Sequence, residues 1–474
     1  MSGRVLVIGG GISGLTTAHF LLRDGEGEDV DVRLVEAATR PGGTMGSEED
    51  GGFVFERGPN GFLDGVPETV DLVRELGLEG DLLDVAPGAR ARYIFRGGQL
   101  HALPTGPVEF LRSPLLSLRG RLRVLLEPFQ RVGPPGREDS VAEFGRRRLG
   151  KEATEVLLDS LVTGIYAGDV ERLSLRSAFP RIADMERRHG GLFRALRASR
   201  KARRRGGPGE DAGQAAGPGQ AAGPMGAGGQ LRSLRGGLEQ LTHALGERLG
   251  DRVALDSPAE ALEPLKEGIE VTYRGGEKKG FDAVVVATPA PRASALFSSS
   301  QPDLCQALES VSYAAVAVVC LGYAREDVAH PLAGYGFLIP RSEGLRTLGV
   351  IWTSSIFPAH APPDTVSLRV LVGGARDPEA ASATADELTE LVTRELGEIL
   401  GIRGEPLVRR VYRYTQGIPQ YNVGHAQRIQ AIERQRWKLP GLFITGNAYR
   451  GVGVNDCVRE SARVSQEVLR KLRD

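Results

Sequence analysis

Gly9, Gly11 and Gly14 stand in a G-x-G-x-x-G pattern between an apolar run, residues 5–8, and a helix-like face opened by Leu15 and Ala18. The chemistry such a pattern serves is binding of a dinucleotide pyrophosphate. The first glycine permits a tight turn out of a strand, the second admits phosphates close to the backbone, and the third lets helix pack on strand. The helix N-terminus then turns N–H groups toward the negative charge. Glu36 ends a second apolar run, residues 32–35. It stands roughly 20 residues beyond the glycines, where a carboxylate can hold a ribose hydroxyl. A glycine-rich turn beside a solvated glutamate is the bland alternative; the agreement of strand, turn, helix, strand and acid speaks against it. Two more turns, Arg40-Pro41-Gly42-Gly43-Thr44 and Gly58-Pro59-Asn60-Gly61, leave backbone open to whatever occupies the crevice.

The elements that must carry these residues are those of a multidomain chain. Its 474 residues exceed one simple core and imply two or three domains. Lys+Arg and Asp+Glu balance at 60 each, so no general attraction to nucleic acid is expected. Cys305, Cys320 and Cys457 are far apart, with no C-x-x-C. That suits a reducing compartment and argues against disulfide-reductase chemistry. No metal-ligand cluster and no Ser/His/Asp arrangement stands out. No signal peptide is expected before the first strand. The longest apolar run, residues 314–321, is too short to span a bilayer.

Residues 92–96 and 100–103 read as a hairpin across Gly97 and Gly98, and residues 314–323, 336–339, 347–352 and 366–373 as strands of a second, mixed or antiparallel sheet. Residues 68–78, 386–400 and 458–472 have helical spacing. Residues 115–129 mix leucines with Arg119, Arg121 and Arg123. Such a helix either lies on an anionic membrane or packs on a core with a solvated basic face. The expected class is α/β (α+β): a Rossmann-like domain, a mixed-sheet substrate domain, and a helical subdomain open to membrane association. The nucleotide-binding domain is discontinuous, over 1–90, 234–300 and 408–474. The substrate domain takes 91–106 and 301–407, and the helical subdomain 107–205. Residues 206–230, poor in anything to bury, read as a flexible low-complexity loop.

Further motifs narrow the reading: residues 58–60 (GPN), 102–104 (ALP), 164–169 (GIYAGD), 234–238 (LRGGL), 417–421 (GIPQY) and 451–457 (GVGVNDC). With them the chain resembles, nearly end to end, the FAD-dependent amine oxidase and phytoene desaturase superfamily, and within it the oxygen-dependent protoporphyrinogen oxidases. The resemblance implies one non-covalent FAD per chain. Gly9, Gly10, Gly11, Ile12, Ser13 and Gly14 would hold its pyrophosphate, and Glu36 with Ala37 its ribose. Arg40, Gly42, Gly43, Thr44, Gly58, Pro59, Asn60 and Gly61 would line its path. Ala259 would meet the adenine, and Tyr414, Asn447, Val452, Gly453 and Val454 would lie toward the flavin ring. For substrate, Arg92 matches an arginine that pairs with a porphyrin propionate, as a two-pronged guanidinium can. Gly164, Tyr335, Gly336, Leu338 and Leu371 fall on positions lining an apolar cleft, although relatives often carry Met or Phe in place of Leu371.

The implied reaction is flavin-centred, with no catalytic side chain assigned and no metal. A porphyrinogen gives up hydride in three two-electron steps, and molecular oxygen is reduced to hydrogen peroxide. The alternatives are coproporphyrinogen III oxidation, an amine oxidase or carotenoid desaturase, and a flavin-free binding protein like the prenyl-GTPase dissociation inhibitors. Glu36 and both glycine anchors oppose the last. The expected location is cytoplasmic. Peripheral contact with the inner face of the cell membrane, the next enzyme of the haem pathway as a partner, and a homodimer are left open.

Overall fold

The structure, a computed structural model, describes residues 3–27, 29–134, 136–204 and 229–473. At its centre are five parallel strands in the order Val253–Ala254, Val30–Val35, Gly3–Ile8, Ala283–Val286 and Leu442–Ile444. The stretches at their centres, residues 5–8, 32–35 and 283–286, are mostly Val, Leu and Ile because both faces are covered. One face packs on the helices Ile12–Asp24, Glu239–Leu249 and Val454–Arg473, through Leu15, Leu245 and Val458. The other packs on the helix Pro302–Glu309 and on Ile432 of His425–Arg436. Segments hundreds of residues apart therefore finish at one sheet edge, where the first helix begins.

A seven-stranded sheet stands beside it, in the order Val408–Pro419, Tyr313–Ala324, Thr365–Gly373, Thr347–Trp352, Gly336–Leu338, Arg92–Arg96 and Gln99–Ala102. Its pairings are antiparallel except that Gly336–Leu338 runs parallel to Arg92–Arg96. Side chains alternate along its strands. Leu368, Val370 and Val372 bury against Leu388, Val392 and Leu396 of the helix Ala385–Leu400, leaving Arg369 and Leu371 on the opposite face.

Two expected boundaries move. Residues 408–419, expected with the nucleotide-binding segments, form the edge strand of the seven-stranded sheet because Val411 and Tyr412 register against Val319 and Val318. Residues 302–309, expected in the substrate domain, bury Leu304 and Leu308 in the core that holds Leu6 and Ile8. The low-complexity loop lies outside the described residues apart from Gly229 and Gln230. The latter is already in order, its N–H donating to Asp64 Oδ1 over 2.7 Å.

Residues 107–204 are mostly helical. This subdomain is pinned by a charge pair that is fully buried, Glu127 and Arg148, both 0% exposed. Arg148 Nε donates to Glu127 Oε1 at 2.9 Å, and its other nitrogens reach the carbonyls of Gln130 and Gly190 at 2.8 and 2.9 Å. Glu127 also accepts the amides of Leu192 and Phe193. A buried pair is tolerated only when satisfied this fully, and removing one partner costs about 3–5 kcal/mol. Glu127→Gln is therefore expected to lower the stability of the helical subdomain by that order in urea unfolding followed by circular dichroism; an unchanged midpoint would contradict this role.

Candidate functional site

The glycine turn is built by steric necessity. Gly9 leaves the first strand at φ +109°, a conformation that side chains rarely adopt. A Cβ on Gly14 would stand 1.9 Å from the Gly9 carbonyl oxygen, so only glycine lets the helix sit this close. A Cβ on Gly10 would stand 2.9 Å from Glu36 Cβ. Gly11 differs: nothing lies within 4 Å of where its Cβ would be. The helix Ile12–Asp24 starts there with no side-chain cap. Open space over backbone at an uncapped helix start is a cradle for an anionic group. Ile12 packs on the core and Ser13 is buried, so these two contribute backbone rather than side chain.

Glu36 sits directly against this turn. Its Oε2 accepts the Gly10 amide at 2.5 Å and its Oε1 the Ala38 amide at 2.8 Å, with Ala37 exposed alongside. Lone pairs remain on both oxygens for hydroxyl donors. The Glu36 carbonyl takes the amide of Ser257, and Ala259 follows two residues later, packed beside Leu6 and Val35. The Pro-Gly-Gly loop closes over the turn: Gly42 N–H donates to Gly10 O at 2.7 Å, and a Cβ on Gly43 would lie 3.3 Å from Gly11 Cα. Arg40 shapes this loop from within, donating to the carbonyls of Pro41, Gly43 and Met45 and pairing with Glu239 at 3.0 Å. Gly58 abuts Thr44, whose carbonyl would be 2.1 Å from a Cβ there. Gly61 presses on the Arg232 carbonyl, and Pro59 and Asn60 join the two glycines. The Asn60 Nδ2 donor is buried and has no protein partner.

The second anchor arrives through the strand Leu442–Ile444. The C-terminal helix lies along the first helix, Ser461 Oγ donating to Ser13 O at 2.9 Å, so both helices start at the same sheet edge. Tyr421 fixes the approach. Its hydroxyl donates to Asn447 O and accepts from Gly451 N–H, both at 2.7 Å. Its ring stacks on His425, with centroids 4.0 Å apart. Burial pulls the His425 pKa down to about 4, so this imidazole is neutral near pH 7 and stacks as an uncharged ring. Beyond Gly451, Gly453 N–H donates to Asp456 Oδ2, and Val452 and Val454 flank it at the start of the final helix. Burial raises the Asp456 pKa.

Four of the expected substrate residues, Arg92, Gly336, Leu338 and Leu371, share one face of the seven-stranded sheet. Its register aligns Arg92, Gly336, Ile351, Arg369 and Cys320 in one row, and Ile94, Leu338, Gly349, Leu371 and Val318 in the next. Tyr414 lies further along, opposite Val316. The Arg92 guanidinium stacks on the Tyr335 ring at 4.4 Å, and burial lowers its pKa. Gly164, from the helix Asp159–Tyr166, would place a Cβ 3.0 Å from Leu338, so glycine brings that helix against the sheet. Leu371 packs with Phe53, Phe55 and Val318. Arg369 crosses from this face to the carbonyls of Glu56 and Gly58 and so ties the sheet to the Gly58 turn. Arg369 stands outside the motifs that carry the sequence reading, although a lone arginine in the apolar strand VSLRVLV is a signal. Tyr421 closes the GIPQY motif, which alone gives it no role.

Residues 12–469 match the flavin containing amine oxidoreductase family. The chain belongs to that family. Protoporphyrinogen oxidase 2 of Arabidopsis thaliana is 30% identical to this flavin oxidoreductase, over 98% of this chain and 94% of its own length. The coproporphyrinogen III oxidase of Bacillus subtilis (strain 168) is also 30% identical, over 98% and 97%. A crystal structure from Exiguobacterium sp. 255-15, provisionally assigned as a protoporphyrinogen oxidase, covers all of both chains with a TM-score of 0.82 at 26% identity. A putrescine oxidase variant, at 18% identity and a TM-score of 0.70, shares the fold.

The family's cofactor is a flavin, and the site fits one: an open anion cradle at Gly11, a carboxylate with free lone pairs beside it, and a second helix start fixed next to the first. Gly11→Ala meets empty space in the protein and costs the helix no more than about 1 kcal/mol as a cap. It is expected to leave the apoprotein's melting temperature nearly unchanged while weakening flavin binding about tenfold or more, since one added methyl opposes the phosphates. Gly14→Ala is expected to lower both. Flavin titration and thermal melting of the two variants check this; equal flavin affinity in Gly11→Ala and the unmodified protein would remove Gly11 from the cradle.

Proposed function

We propose that the protein is an FAD-dependent porphyrinogen oxidase that converts protoporphyrinogen IX to protoporphyrin IX, with molecular oxygen as the final acceptor and hydrogen peroxide as the product. The carrying observation is the sheet face just described. An arginine stacked on Tyr335 stands at one side of an apolar row that includes Leu338, over which Gly164 brings a helix, and Leu371, which packs toward Phe53 and Phe55 ahead of the Gly58 turn. That is the surface an apolar macrocycle with a carboxylate arm requires. The porphyrinogen oxidases that match nearly the full chain point to the same substrate class. FAD is favoured over a mononucleotide because Glu36 and Ala259 prepare an adenosine end away from the second anchor.

When bound, FAD would supply a two-electron acceptor for hydride from the substrate, with molecular oxygen as the terminal oxidant. The protein's share is placement. Arg92 would hold a propionate by charge-assisted hydrogen bonds, and Leu338 and Leu371 would exclude water from the ring. Tyr421 keeps the Asn447 and Gly451 backbone fixed before residues 452–454. Coproporphyrinogen III is the second reading, carried by the Bacillus subtilis relative, which is covered over 97% of its length. Oxygen uptake and porphyrin fluorescence, measured side by side on the two porphyrinogens, decide between them. A yellow protein that oxidises neither would overturn the proposal. Arg92→Ala is expected to raise KM roughly tenfold to a hundredfold with kcat less affected, as loss of a charge-assisted pair would. An unchanged KM would take Arg92 out of the site.

The same reading includes peripheral contact with a membrane. No helix among the described residues is long and apolar enough to cross one. The helix Leu118–Leu125 buries Gly120 and Val124 but leaves Leu118 65% and Leu122 52% exposed, with Phe129 beyond it 80% exposed. Most of the large apolar side chains exposed among the described residues lie between residues 108 and 132, interleaved with Arg112, Arg119 and Arg121. An apolar face ringed by arginines suits an anionic lipid surface. Flotation with anionic vesicles at low salt is expected to carry the protein up, and Leu118→Ser with Phe129→Ser to leave it behind. Protein that stays wholly below the vesicles would sink the idea.

A further inference from the structure

Glu56 ends the strand Phe53–Glu56 and is 2% exposed. Its Oε1 accepts the Leu238 amide at 2.7 Å and its Oε2 the Ser47 hydroxyl at 2.9 Å. Ser47 Oγ in turn accepts the amide of Glu239, whose carboxylate holds Arg40, and Arg40 grips the Gly43 carbonyl. On the other side Arg369, from the substrate-bearing sheet, donates to the carbonyls of Glu56 and Gly58. Glu56 thus meets both walls of the cleft: its carboxyl holds the Leu238 amide and the Ser47 hydroxyl, and its backbone carbonyl, with that of Gly58, holds Arg369, which lines the same small pocket.

The charged and titratable groups around it can be sorted. Burial pushes the Glu56 carboxyl up to about 7 and the like charge of Glu239 adds to the rise, against the Leu238 amide, the Ser47 hydroxyl and the Arg369 guanidinium, which favour the charged form. Two other titratable groups line the same small pocket. Burial raises the Cys320 thiol to about 12 and lowers the His360 pKa. Burial thus holds the thiol and the imidazole toward their neutral forms, and Glu56 is the member of this cluster whose midpoint is raised to about 7.

We propose that Glu56 is a positioning residue whose charge state sets how firmly the substrate sheet is clamped to the turns that cradle the flavin. The inference rests on the reading that residues 42–44 and 58–61 line the flavin's path. With Glu56 ionised, its carboxylate takes one donor on each oxygen and attracts Arg369, whose guanidinium holds the Glu56 and Gly58 carbonyls and so links Gly58 to the strand Thr365–Gly373. With Glu56 protonated that attraction is lost, and one oxygen carries a hydrogen where Ser47 already presents its own. The clamp is firm above the Glu56 midpoint and slack below it. Because coupling is reciprocal, bound flavin lowers the Glu56 pKa.

The test uses the holoenzyme and follows flavin release by the rise of its fluorescence after dilution, about one pH unit either side of neutrality. Release is expected to be at least about threefold faster on the acid side in the unmodified protein and equal on both sides in Glu56→Gln. Glu239→Gln, which removes the like charge but keeps Glu56, is expected to move the midpoint to lower pH; it serves also if Glu56→Gln folds poorly. Release that ignores pH in the unmodified protein, or a pH dependence that survives in Glu56→Gln, would overturn the proposal. A purified chain with no affinity for flavin would instead overturn the reading of the turns, a distinct result.

Discussion

The position of every other functional group follows from one close approach, the Gly14 backbone against the Gly9 carbonyl. With 1.9 Å between that oxygen and any added Cβ, the helix Ile12–Asp24 has one allowed seat on the sheet. That seat decides where its first turn opens, and so where the cradle at Gly11 lies. The C-terminal helix packs on the first, which brings residues 451–454 to the same edge. The Pro-Gly-Gly loop rests on Gly10 and Gly11, and Glu36 is held by the Gly10 amide. The site is the outcome of backbone contacts, with side chains placed on a frame they do not create.

The cleft has two walls of different construction. The wall that carries the glycine turns is a parallel sheet buried on both faces; the other is a largely antiparallel sheet with one face on a helix and one on the cleft. Alternation along the strands sorts the second wall, so that Leu371 and Arg369 look toward the turns because Val370 and Leu368 look toward the helix. Arg369 is unusual in spending its guanidinium on backbone carbonyls of the opposite wall. It converts two packed surfaces into a jointed pair.

The glycine pattern, Glu36, the buried strands and the mixed second sheet were legible because each is written in adjacent residues. Gly10 was read as part of a phosphate loop, whereas its own constraint comes from Glu36, far along the chain. Arg40 was placed along the cofactor's path, and its hydrogen bonds go to the loop it belongs to. The roles of Arg369, Glu56 and Tyr421 arise from pairings between distant segments, which no local periodicity encodes. Residues 408–419 were set with the wrong sheet for the same reason: alternating Val and Tyr among arginines announces an edge strand without naming its neighbour. The helix Leu118–Leu125 shows the opposite limit. Its amphipathic spacing was plain, and only the packing reveals that Gly120 and Val124 bury while its leucines do not.

The order of strands in the parallel sheet bears on how the protein is made. Gly3–Ile8 meets Val30–Val35 almost as soon as both leave the ribosome, but its other neighbour, Ala283–Val286, is translated far later, and Leu442–Ile444 later still. Throughout that interval one side of a central strand whose inner residues 5–8 are apolar lacks its native partner, the circumstance in which nascent chains aggregate or recruit chaperones. The first helix likewise waits for the last helix against which it packs. The turn over residues 9–14 is thus completed only after the strand Leu442–Ile444 and the final helix have been added, hundreds of residues later.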